Sequence, residues 1–137
     1  MLSGAVYWNI PGVNIHPDVD FAAYLGRYDL LERQEILSDA TEADIYFKGG
    51  VGTNLENAIT FVKKKLGIGY YKPQIFVGAF YEPLRNWLNH LASENMADPK
   101  VFEHCYFINH GSEIFQVLCG HFGSEDKMIH EVSIKEL

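Results

Sequence analysis

The 137-residue sequence is poor in cysteine, in positive charge and in long apolar runs. Two cysteines, Cys105 and Cys119, are too few for a disulfide framework, and they point to a reducing, cytoplasmic setting. Eleven Lys and Arg against eighteen Asp and Glu leave a net charge of −7, which excludes the basic face that phosphate-backbone binding of nucleic acid requires. One small anion held by a local site is still compatible with that balance. No apolar run approaches the ~20 residues needed to span a bilayer. The opening MLSGAVYWNIPG lacks a basic n-region and an h-region, so no secretory leader is expected. What the sequence does have is 47% hydrophobic residues, a globular composition for one domain over residues 1–137.

Apolar runs alternate with helical patterns, as in a mostly parallel sheet covered by helices on both faces. The expectation is a Rossmann-like, three-layer α/β/α fold with about four to five strands. Ala5–Ile10 reads as a first strand, stopped by Pro11 and Gly12. Residues 11–28 read as an irregular entry. Asp29 is a candidate N-cap for a helix to about Glu42, followed by a strand at Ala43–Phe47. A second helix is expected over Asn54–Leu66, with Gly67 closing it and Lys63, Lys64 and Lys65 forming a solvated last turn. Gln74–Val77 and Cys105–Ile108 read as further strands. Between them Pro83 starts a helix whose stripe is Leu84, Trp87, Leu88 and Leu91. Ser112 caps a short helix to about Leu118, and residues 121–137 read as a tail or an edge strand near Glu131–Lys135.

Three features carry possible chemistry. On a wheel of the first helix, Arg33 falls at ~300°, inside the stripe of Leu30, Ile36, Leu37 and Ala40. A guanidinium there either snorkels or forms a structural ion pair, or it points into a ligand cleft. The second feature is Gly49-Gly50-Val51-Gly52-Thr53, between a strand and a helix. Glycines let backbone amides approach an anion, and Thr53 adds a hydroxyl. The loop is neither a Walker A motif nor GxGxxG, and a tight strand–helix connection also accounts for it. The third is Glu56. Thr53-Asn54-Leu55-Glu56 reads as a capping box, yet the same carboxylate lies within a helical turn of the loop.

Taken together, Lys48–Glu56 (KGGVGTNLE) resembles the PGGxGTxxE signature of the LOG (Lonely Guy) family, often described as possible lysine decarboxylases. The family's second element, an Arg-Lys pair, stands 15 residues before the signature; here Arg33-Gln34 occupies that place. The segment LGIGYYKPQIFVGAFYEPLRNWLNHL is also similar, so the resemblance covers about residues 28–120. It implies a phosphoribohydrolase that cleaves a nucleoside 5'-monophosphate into free base and ribose 5-phosphate, with no metal and no cofactor. It places Gly49, Gly50, Val51, Gly52 and Thr53 around the 5'-phosphate, with Lys48 as an extra cation. Glu56 would hold the ribose hydroxyls and support oxocarbenium charge, and Arg33 would stabilise charge at the departing base or around the ribose. Members of the family are usually homodimers, so a second copy is the expected partner.

Lys48, Gln34 and Asn57 depart from the family's Pro, Lys and frequent second Glu. With VYWNIPG resembling a later strand of the family, the strand–helix units that precede it there are expected to be missing, which makes a non-catalytic nucleotide- or phosphate-binding module the alternative. His104, Cys105, His110 and His121 fit no standard zinc spacing. Cys105 as a nucleophile with His110 has no motif behind it, and a buried thiol is the simpler reading. Tyr70 and Tyr71 are candidates for a ligand or interface role.

Overall fold

Three of the apolar runs line up as a parallel sheet. The computed structural model describes residues 4–7, 17–18, 21–24, 30–39, 41–69 and 71–123. Two compact units are present, Met1–Thr41 and Glu42–Leu137.

In the first unit, β1 (Gly4–Tyr7) pairs in parallel with β2 (Phe21–Tyr24). The second strand corrects the irregular reading of residues 11–28. FAAY is too short, and too rich in alanine, to stand out by periodicity. Helix α1 spans Leu30–Asp39, ending before the expected Glu42, while Asp29 and Ala40 lie outside the described residues. Its buried residue is Gln34, at 6% exposure, whereas Leu30 and Leu31 are exposed and Arg33 is half-buried. With four charged residues in ten (LLERQEILSD), no face of this helix is apolar enough to act as the only inward one.

The second unit holds β3 (Asp44–Tyr46), β4 (Gln74–Val77) and β5 (Cys105–Ile108), in that order across the sheet and all parallel. Among the described residues, five strands are divided between two sheets, in place of four or five in one. Helices α2 (Val51–Lys65), α3 (Glu82–Ser93) and α4 (Ile114–Phe122) complete a Rossmann-like α/β arrangement.

Strand alternation puts Tyr46, Phe76 and Phe107 on one face, and the register sets them side by side. Phe76 stacks between the other two rings, 4.9 Å from each. Phe61 of α2, Leu88 of α3 and Val101 close this core. The remaining face carries Tyr106, whose hydroxyl meets Nδ1 of His121 in α4 at 3.0 Å. Helix α4 thus meets the face opposite the aromatic core.

Local signals fix the ends of the elements. Gly67 (φ +79) closes α2: its N–H bonds the Lys64 carbonyl while Ile68 bonds that of Lys63, a paired C-terminal closure. Pro83 sits in the first turn of α3, but Trp87 is 54% exposed rather than part of the buried stripe. His110 and Glu113, not Ser112, cap the turn before α4, which runs on to Phe122. The strand expected at Glu131–Lys135 lies outside the described residues. Among the described residues no helix is long and apolar enough to cross a membrane.

Candidate functional site

The carboxyl end of β3 leads through Phe47, Lys48 and Gly49 into α2. Ligands of open parallel sheets bind at this end of the strands. The helix starts at Val51 with Gly50 as its N-cap, three residues earlier than the capping-box reading places it. Thr53 is therefore inside the first turn, and the Thr53–Glu56 capping box does not form. Glycine is itself an acceptable N-cap, so the chain enters the helix without the threonine hydroxyl. The first intrahelical bond here runs from Asn54 N–H to the Gly50 carbonyl at 3.1 Å. The amides of Val51, Gly52 and Thr53 precede it, where a helix has no acceptor of its own. Gly50 has no side chain with which to cap this end, and no acidic residue lies in the first turn. The positive end of the helix dipole is thus left without a local counter-charge from that turn.

The three glycines do different work. A Cβ on Gly49 would collide with the Thr53 side chain, standing 2.7 Å from its Cβ. Here glycine is needed so that the backbone can approach Thr53. A Cβ on Gly50 or Gly52 would meet nothing within 4 Å. Neither has a positive φ; among the described residues the glycines that do are Gly67, Gly69, Gly78 and Gly123. Neither packing nor turn geometry therefore demands glycine at positions 50 and 52, which removes the tight-connection explanation for them. Both are exposed, as is Val51 at 88%.

Lys48 is exposed, and its Nζ stands 5.9 Å from the centroid of the Phe80 ring, a cation–π distance. Glu56 is half-buried one turn further along α2. Its neighbour Asn57 is buried at 4% exposure, with Nδ2 unpartnered among the described residues. The strand–loop–helix corner thus brings together Lys48, Gly49, Gly50, Val51, Gly52, Thr53 and Glu56. Arg33 lies on α1 of the first unit.

Sequence reasoning overlooked the segment after β4. Tyr81, 2% exposed, donates its hydroxyl to the Phe47 carbonyl at 2.6 Å, bracing the entrance of the glycine loop. The available signal was an aromatic pair, Phe80-Tyr81, two residues beyond a strand-terminal glycine.

The other candidates have structural partners. Burial pushes the Cys105 thiol up to about 11, with Lys64 opposing, and the thiol donates to Gln74 Oε1 at 3.6 Å. Such a thiol is a poor nucleophile. His104 packs edge-on against His121, which also bonds the Tyr71 carbonyl at 2.7 Å. Burial and the neighbouring His121 and Lys64 lower the His104 pKa, against Glu103. No three acidic, His or Cys side chains form a metal-binding group among the described residues. Tyr71 is exposed, and Tyr70 lies outside the described residues.

A comparison with curated proteins finds no match. The family model described as "Possible lysine decarboxylase" matches residues 12–118, which spans α1, the glycine loop and β3 to β5. By this match the chain belongs to the possible lysine decarboxylase, or LOG, family.

Proposed function

We propose that the protein is a LOG-type phosphoribohydrolase acting on a nucleoside 5'-monophosphate. One observation carries the reading: Gly50 and Gly52 serve neither the backbone nor the packing of the chain, yet they keep the first turn of α2 bare and exposed. A phosphate seated there accepts from the amides of Val51, Gly52 and Thr53 and is favoured by the helix dipole. Lys48 supplies a second positive charge beside it.

In the reaction the C1'–N bond of the ribose breaks and its electron pair leaves with the base. A water oxygen then bonds to C1', and the proton balance closes on the departing nitrogen. By the family resemblance, Glu56 holds the ribose hydroxyls, supports the positive charge developing at the ring and orients the water. By the same resemblance, Arg33 stabilises charge at the departing base or around the ribose. The expected partner is a second copy of the chain, which light scattering at high micromolar concentration tests directly.

Purified protein incubated with AMP and other monophosphates should release free base, and Glu56→Ala should lower the rate by about 10²–10⁴-fold. Absence of base release, with Glu56→Ala indistinguishable from the parent, refutes the enzyme reading. A non-catalytic nucleotide-binding module is the second reading. It is favoured by the burial of two of the three substituted side chains, Gln34 at 6% and Asn57 at 4%, so that neither offers polar chemistry to a ligand. AMP that raises the melting temperature without being cleaved selects it.

A further inference from the structure

We propose that the turn Ala79–Tyr81 positions the glycine loop, with Tyr81 as a positioning residue that orders the loop amides before ligand arrives; its consequence for AMP rests on the reading above. Two consecutive residues of the loop entrance are tied to two consecutive residues of this turn. The Phe47 carbonyl accepts from the Tyr81 hydroxyl, and the Lys48 ammonium stands over the Phe80 ring. The first tie acts on the peptide plane joining Phe47 to Lys48, so it sets the direction in which the chain enters Gly49. The second holds the one cation of the loop.

The turn is itself well held. Gly78 takes φ +95, a conformation that favours glycine, and its N–H bonds the Ile108 carbonyl of β5 at 2.8 Å. The Tyr81 ring packs edge-on against Phe76 and Phe80, 5.1 Å from each. Its hydroxyl is thus aimed from the aromatic core at the loop, and burial raises its pKa, so it is a donor at all ordinary pH. Anchoring a binding loop to a packed core removes ordering that the ligand would otherwise have to supply.

Hydrogen exchange on the full chain tests this without a ligand. Tyr81→Phe keeps the ring and removes only the donor. It should speed exchange about tenfold at the Asn54 amide, whose bond to the Gly50 carbonyl joins the loop to α2, while leaving β4 and β5 unchanged. Unchanged exchange at Asn54 overturns the proposal, as does an acceleration spread equally over β4 and β5. Kinetics with AMP supply the second readout. Tyr81→Phe should raise KM about three- to tenfold with kcat within about twofold, the pattern of lost uniform binding. An unaltered KM overturns the positioning role. Failure of the parent protein to bind or cleave AMP instead refutes the proposed function, and the exchange measurement alone then decides the role of Tyr81.

Discussion

The two ends of the three-stranded sheet handle polarity in opposite ways. At the amino end, Asp44, Gln74 and Cys105 begin β3, β4 and β5 in register, and the structure closes over them. Lys72 pairs with Asp44 at 2.7 Å, and the Cys105 thiol meets the fully buried Gln74. Lys64 of α2 is packed in at 3% exposure, its Nζ unpartnered among the described residues. At the carboxyl end, Gly50, Val51 and Gly52 are exposed, and the N-cap is a glycine with no side chain to offer. The comparison teaches that polar character alone does not mark a site. The amino end spends its polar groups mostly on one another, while the carboxyl end presents amides to solvent.

Perturbing each end should separate the two roles. The largest effect is expected from Lys72→Met, which leaves Asp44 largely buried without its cation. Denaturant unfolding should show a loss of about 3–5 kcal/mol. Next come the glycines. Gly49→Ala forces a Cβ against Thr53 and should cost about 1–3 kcal/mol. Gly52→Ala meets nothing and should leave the unfolding midpoint within about 0.5 kcal/mol of the parent while weakening AMP binding. Equal stability losses at the two positions would erase the distinction drawn between them.

The last effect has the opposite sign. Lys64→Met fills the same space without a buried amine and should stabilise by about 1–2 kcal/mol. Burial is the main cause that depresses the Lys64 pKa below its ordinary 10.5; Lys72 adds to it, while Cys105 and Asp44 oppose it. Between the depressed value and 10.5 the unfolded chain binds more protons than the folded one, so this lysine's penalty fades as pH rises through that window. The advantage of Lys64→Met should therefore shrink as the buffer approaches pH 10.5, and an advantage independent of pH would contradict the assignment.

Much of this was readable beforehand, and the failures have definite causes. Gln74–Val77 and Cys105–Ile108 are apolar runs bounded by breakers, and both form strands over the expected residues. The start of α2 was misplaced because Thr53 and Glu56 have capping-box spacing, whereas glycine at position 50 serves as N-cap. Lys63, Lys64 and Lys65 read as a solvated helix end, yet the middle residue shares the buried stripe of Asn57, Thr60 and Phe61. A run of like charges wrapped around a helix must send one member inward when the turn is covered. Trp87 illustrates the converse, an apolar residue at the right spacing that stays 54% exposed.

Sequence alone determined the parallel strands of the second unit, the glycine loop that joins β3 to α2, and membership of the family, because periodicity, turn chemistry and a spaced motif are properties of neighbours along the chain. Only the tertiary structure decided which glycines are sterically required, which lysine is buried and that Tyr81 braces the loop. They depend on how side chains meet in space: Gly49 on the placement of Thr53 four residues on, and Tyr81 on Phe47 at a separation of 34 positions that no local pattern encodes.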